Sequence, residues 1–227
     1  MAKRIFVVGF DLPGDEFEYV AFNSDQSLLD ADIVVYEPSL GGYRGFEEYN
    51  GRNLLTQDGS VRIVENIRHW KSELAAATNA GKLVVVYLAK PEFCYRYTGD
   101  RQFSGTGRSR VTTNVVTDVS SYEAVPNISS VEAKSGQQTK LMPAASFLLP
   151  YWKDFGDLSP YETFVDGKFT DVLVTTKTGD KTVSAWFRGK GALLFLPPIR
   201  YDEKAFLKYD KGERSRVWTP AVSVNWR

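Results

Sequence analysis

The chain has 227 residues, 28 Lys and Arg against 28 Asp and Glu, 43% hydrophobic and 14% aromatic residues, one His and one Cys. At this length one core can remove about 70 to 75% of the unfolded chain's surface from water, and the aromatic content excludes a disordered chain. A lone cysteine excludes an internal disulfide and a cysteine-held metal cluster, while charge neutrality disfavours a globally basic nucleic-acid binder.

Ile5 to Phe10 is shorter than the roughly 7 to 15 residue apolar core of a signal peptide. No run approaches the roughly 18 apolar residues of a membrane span. The expectation is a soluble cytoplasmic protein with no membrane partner. Its charge is uneven: residues 1–50 hold three basic residues and ten acidic ones, and residues 90–110 hold five basic and two acidic.

Lys3 to Gly9 is an apolar, β-branched run closed by the turn cluster Asp11-Leu12-Pro13-Gly14-Asp15, which reads as a strand buried on both faces. Asp32 to Tyr36 repeats the pattern and stops at Glu37-Pro38. The segment from Leu40 to Gly59 has five glycines and no period, and reads as an irregular loop. A helix is predicted from about Ser60 to Asn79, since Ile63, Ile67, Trp70, Leu74 and Ala77 recur at steps of four and three. Ser60 is its predicted N-cap and Gly81 its left-handed stop. Lys82 to Leu88 is a third buried strand, so strand, helix and strand form a right-handed crossover between parallel strands.

Beyond Pro91 the texture changes. Phe93, Tyr95 and Tyr97 alternate with Cys94 and Arg96, Val111 to Val119 is rich in Thr and Val, and Asp171 to Thr176 faces Thr182 to Phe187 across Lys177 to Lys181. This pattern predicts antiparallel hairpins. A short helical piece is predicted from Ala144 to Phe155. Ala192 to Leu196, entered through Gly189-Lys190-Gly191 and stopped by Pro197-Pro198, reads as a return to the parallel sheet. Trp218 and Trp226 predict a tail that docks on the body.

Three features together resemble the class I glutamine amidotransferase-like superfamily: the strand Ile5 to Gly9, the helix leading into Ala80-Gly81-Lys82-Leu83-Val84-Val85-Val86, and Gly189-Lys190-Gly191-Ala192-Leu193-Leu194-Phe195-Leu196-Pro197. The resemblance implies an α/β, flavodoxin-like three-layer sandwich with a mostly parallel central sheet. The expected single domain (1–227) has a core at about 1–91 and 189–200, a β-rich insertion at about 92–188 and a docking tail at about 201–227. Active members of that superfamily carry a cysteine on a tight turn after a central strand and a histidine that activates it. Here Lys82 to Leu88 runs into Ala89-Lys90-Pro91 and no Gly-x-Cys-x-Gly turn exists. The resemblance therefore carries the fold and not the chemistry, and the leading expectation is a non-catalytic binding or assembly module with a protein partner or a second copy of itself.

Cys94, in an alternating strand, reads as a packed thiol. His69 lies between Glu65 and Glu73 at helical spacing, which favours an i to i+4 ion pair over catalysis. Tyr43, Phe46, Tyr49 and Tyr122 read as packing residues before partner contacts. The stretch Arg101-Gln102-Phe103-Ser104-Gly105-Thr106-Gly107-Arg108-Ser109-Arg110 is the most suggestive element: backbone amides at Gly105 and Gly107, hydroxyls of Ser104 and Thr106, and the forks of Arg101, Arg108 and Arg110 suit an anion or nucleic acid. It lacks the Gly-Lys-Ser/Thr ending of a phosphate-binding P-loop, so a solvated hairpin tip is its competing reading. In parallel sheets ligands gather beyond the strands' carboxyl ends. Asp11, Glu37, Ser39, Lys90 and Arg200 are predicted to converge there, where carboxylates including Asp15 and Glu16 could hold Mg²⁺; otherwise no cofactor is expected. An enzyme acting on a nucleotide in that pocket, or a nucleic-acid accessory protein using the arginines, are the alternatives.

Overall fold

The computed structural model describes residues 3–12, 14–43, 45, 47–134, 139–143, 145, 162–179 and 181–197. Among these residues the main sheet has ten strands. The parallel half contains β1 (Ile5–Val8), β2 (Phe17–Val20), β3 (Ile33–Tyr36), β6 (Leu83–Tyr87) and β14 (Ala192–Leu196), in the spatial order β2-β1-β3-β6-β14. The other half is antiparallel: β9 (Ile128–Lys134), β10 (Thr139–Leu141), β11 (Glu162–Gly167), β12 (Asp171–Thr176) and β13 (Thr182–Arg188).

The expected mostly parallel sheet is therefore corrected to a mixed one. The cause lies in the connections: β13 turns into β14 through Gly189 to Gly191, closed by a bond from the Gly189 N–H to the Gly191 carbonyl at 2.9 Å. So short a turn can only join antiparallel neighbours. Much of the β-rich insertion thus extends the central sheet rather than standing apart from it.

Alternation along the strands splits the core. Phe6, Val8, Val34, Tyr36, Val84, Val86, Leu193 and Phe195 belong to one buried cluster, and Ile5, Val7, Ile33, Val35, Leu83, Val85, Leu194 and Leu196 to another. Both sets are buried, which is why the sequence reads as unbroken apolar runs.

The first cluster packs against α1 (Gln57–Asn79), whose stripe Ile63, Ile67, Trp70, Leu74 and Ala77 is buried as expected. The helix starts three residues earlier than predicted because Thr56 is the cap, its Oγ1 accepting from the Gly59 N–H at 3.1 Å. Ser60 is instead a joint: its Oγ donates to the Thr56 carbonyl at 2.7 Å and accepts from the Tyr97 N–H at 3.0 Å. At the other end Gly81 donates to the Thr78 carbonyl and Lys82 to that of Ala77, at 3.2 and 3.0 Å, the paired bonds of a Schellman stop. α1 is the single α-helix among the described residues, and it is not long and apolar enough to cross a membrane.

The expected irregular loop holds a hairpin, β4 (Glu47–Tyr49) and β5 (Arg52–Leu54). Asn50 and Gly51 both have positive φ, 49° and 75°, which is the two-residue turn that Asn-Gly favours. With β7 (Phe93–Ser104) and β8 (Val111–Ser120) this hairpin forms a second sheet of four strands. The predicted helix over 144–155, Arg200 and the tail 201–227 lie outside the described residues, Ala145 excepted.

Candidate nucleic-acid interface and strand-end site

The arginine-rich stretch is the far end of a projecting ribbon. β7 and β8 pair from Phe93 with Ser120 out to Ser104 with Val111, and residues 99–114 are exposed throughout. The pairing breaks between Tyr97 and Arg101, where the register shifts. There the Thr98 Oγ1 donates to the Val115 carbonyl at 3.3 Å and accepts from the Asp100 N–H at 3.1 Å, fixing the bend. Beyond it four paired residues add about 14 Å of ribbon before the tip.

At the tip, residues 107–109 form a 3-10 turn, with the Ser109 N–H donating to the Thr106 carbonyl at 3.2 Å and the Arg110 N–H to that of Gly107 at 3.3 Å. The stretch is thus the tip of a hairpin. Gly105 is there for close approach: a Cβ would fall 2.4 Å from the Ser109 carbonyl oxygen. Arg101, Arg108 and Arg110 have no carboxylate partner among the described residues, and the Arg110 guanidinium lies 4.1 Å above the Phe103 ring. The ribbon past Asp100 carries three cations and no acid until Asp118.

At its root the bend faces α1 across a cavity of about 420 Å³. Ser60, Val61 and Val64 of the helix line it, with Arg68, Arg96 and Arg101 set against Glu65 and Asp100. No pattern in the sequence placed Arg68 beside this stretch; only the fold does.

At the strands' carboxyl ends the expected convergence is partial. Gly9, after β1, lies beside the residues that follow β3: its ideal Cβ would sit 3.9 Å from the Ser39 Oγ, which accepts from the Gly41 N–H at 3.0 Å. A second cavity of about 330 Å³ opens there, lined by Gly9, Phe22, Gly41, Gly42, Tyr43 and Arg62 among others. Glu37 is half-buried, and burial, then the nearby charge of Glu92, raise its pKa above the usual carboxylate range. Glu92 is held in place by accepting from the Leu40 N–H at 2.8 Å. Tyr122 is buried and donates to the Ala89 carbonyl at 2.6 Å, which also accepts from the Thr163 Oγ1 at 3.1 Å. The Tyr36 hydroxyl is buried with no hydrogen-bond partner among the described residues. Lys90 is exposed; Asp11 is exposed and makes no hydrogen bond or ion pair among the described residues. The described residues contain no group of three acidic, histidine or cysteine side chains placed to share a metal ion.

Sequence reasoning missed Glu92, Tyr36 and Tyr122 as members of this end of the sheet. Cys94 is buried, and its thiol is pushed up to about 11 by burial, then by Glu123 and Glu92. Those surroundings oppose the thiolate that nucleophilic chemistry needs. The expected ion pair of His69 with Glu65 or Glu73 is not found among the described residues. The Glu73 Oε2 accepts instead from the Leu28 N–H at 2.7 Å and the Ser27 Oγ at 3.0 Å, while the His69 Nε2 is buried with no partner among the described residues. Tyr122 is core, Tyr49 is 42% exposed, and Phe46 lies outside the described residues.

Comparison with family models, with characterised proteins and with solved structures finds no match to this chain.

Proposed function

We propose that this chain is a non-catalytic cytoplasmic binding module, an amidotransferase-like α/β body that presents a cationic β-ribbon to nucleic acid. The order β2-β1-β3-β6-β14 supports the flavodoxin-like part of the reading, because it is the second-first-third-fourth-fifth order of that doubly wound class. The raised Cys94 thiol supports a body without the family's chemistry. One observation carries the proposal: a paired ribbon exposed from residue 99 to 114, with arginines at 101, 108 and 110 and no acid past Asp100 until Asp118. A two-stranded ribbon matches a nucleic-acid groove about 12 Å wide, and arginine forks match phosphates.

The test is binding to a labelled oligonucleotide across a salt series. Each phosphate contact contributes about −0.7 to −0.9 to the slope of log affinity against log salt. The double substitution Arg108→Ala with Arg110→Ala should weaken binding and make that slope shallower by about 1.4 to 1.8. Salt-insensitive binding, or an unchanged slope in the variant, removes the proposal. Native mass spectrometry of the same preparation tests the assembly alternative, a protein partner or homo-oligomer.

A second reading rests on the 330 Å³ cavity beside Gly9 and Gly41, with Arg62 on its wall: a nucleotide site, with or without Mg²⁺, at the strands' carboxyl ends. A rise in Tm with a nucleotide supports it, and no shift across a nucleotide panel counts against it.

A further inference from the structure

The ribbon's two faces differ. Arg101 pairs with Asn114 and Phe103 with Thr112, and alternation puts these four side chains on one face. Arg110 joins them by stacking on Phe103 at 4.1 Å. The other face presents Gln102, Ser104, Val111 and Thr113, none of them charged.

Phe103 is 56% exposed, so arginine covers part of the ring and water meets the rest. Two residues back along the strand, about 7 Å, Arg101 and Asn114 become walls of the 420 Å³ cavity against α1. The cationic face and the cavity therefore form one continuous track, from an open aromatic ring to a pocket with Arg68 and Arg96 on its wall.

Resting on the reading of the ribbon as a nucleic-acid element, we propose that this track takes a single strand, with one base stacked on Phe103 and the next nucleotides entering the cavity between the ribbon and α1. A ring flanked by arginines is a sequence-tolerant stacking platform, since every base has a π-face. The cavity is of single-ligand size, at the lower end of the roughly 300 to 1,000 Å³ range. A paired duplex meets only the projecting ribbon, because its bases are stacked and its width keeps it out of the cavity. The 7 Å step from Phe103 to Arg101 is about two base-to-base rises of a stacked strand, at about 3.4 Å each. Glu65 and Asp100 on the cavity wall leave one net positive charge there among five charged side chains, enough to accept a strand without gripping it at each phosphate.

The experiment compares labelled oligothymidylate and oligouridylate with a duplex of equal length, by anisotropy at low salt. The single strands should bind at least tenfold more tightly than the duplex. Phe103→Ala should weaken single-strand binding by about 5- to 150-fold, the range of one stacked base, and leave duplex binding unchanged. Phe103→Trp should restore it, with indole fluorescence quenched as the strand binds. Both variants are at an exposed site, and unchanged melting confirms that they fold. Equal affinity for strand and duplex with loss in Arg108→Ala, or Phe103→Ala binding like wild type, overturns the single-strand track while the ribbon reading stands. No binding of either at low salt overturns both.

Discussion

Gly191→Ala tests the junction on which the parallel half of the sheet depends. A Cβ at this position would lie 2.3 Å from the Lys82 carbonyl oxygen, 2.6 Å from that of Thr78 and 2.8 Å from the Lys82 nitrogen. All three are backbone atoms at the end of α1 and the start of β6, so no side-chain rotation relieves the clash. Moving β14 away stretches the bonds from the Gly191 N–H to the Thr78 carbonyl at 2.9 Å and from the Ala192 N–H to that of Lys82 at 3.0 Å. Overpacking costs about 1 to 3 kcal/mol, and a buried N–H left without a partner about 1 to 3 kcal/mol. One shift relieves part of each, so we expect about 2 to 4 kcal/mol, or a Tm lower by about 4 to 16 °C at this chain length. Urea denaturation measures it, with Gly189→Ala as the control: its Cβ would meet nothing within 4 Å, and the expected change is within about 0.5 kcal/mol. Equal losses at both positions, or less than about 0.5 kcal/mol at 191, refute the close-approach argument.

Cys94, with its thiol near 11, should resist iodoacetamide at pH 8 in the native protein and react in urea; rapid native labelling contradicts its burial. Because the folded thiol, Tyr36 and Tyr122 are all pushed above their ordinary values by burial, their stabilisation is present below those values and is lost as pH rises through the folded ones. Melting should therefore fall above about pH 9, and a flat profile to pH 11 counts against it. Glu37 is raised as well, so its contribution holds below the ordinary glutamate value of about 4.3 and turns unfavourable above it. Glu37→Gln should thus melt higher than wild type at pH 8, with the difference vanishing near pH 4; an equal or lower Tm at pH 8 refutes the sign. Glu73→Ala strips the carboxylate from the Leu28 N–H and the Ser27 hydroxyl and should cost about 1.5 to 3 kcal/mol in denaturant. Thr56→Ala should cost about 1 kcal/mol through the lost cap, and neither substitution should alter nucleic-acid binding.

The elements legible in the sequence were those with a local signal. β1, β3, β6 and β14 announced themselves as apolar runs because both faces are buried, and α1 through its stripe. The β4–β5 hairpin had a signal that went unread, Asn50-Gly51, since the glycine count around it suggested a loop. β2 carried little: in Phe17-Glu18-Tyr19-Val20 only Val20 is buried, as expected of an edge strand. The sheet's mixed sense was not readable from strand texture, because parallel sense follows from how the chain connects, and Gly189 to Gly191 is too short for a crossover. At the candidate site the arginines were visible by type, but their shared face with Phe103 depends on the β7–β8 register, and the bend between Tyr97 and Arg101 sets that register. The link from Glu92 to Leu40 spans 52 residues, beyond the reach of any local motif.

The ribbon and the body answer to different physical demands. The body's central strands β1, β3, β6 and β14 are buried on both faces, and nearly every substitution there changes stability first. Residues 99 to 114 bury almost nothing, and their order depends on cross-strand bonds, the Thr98 bend and the Ser60 joint to α1. A two-stranded hairpin is marginal by itself, and ordering its backbone costs about 1 to 2 kcal/mol per residue. The fold recovers little of that cost, since an exposed Phe103 and unpaired arginines add no core. On the proposed reading a contact outside the chain supplies the return, with the cations meeting phosphate and the open ring meeting a base. On that reading the function lies in residues 99 to 114, whose removal should leave the main sheet intact.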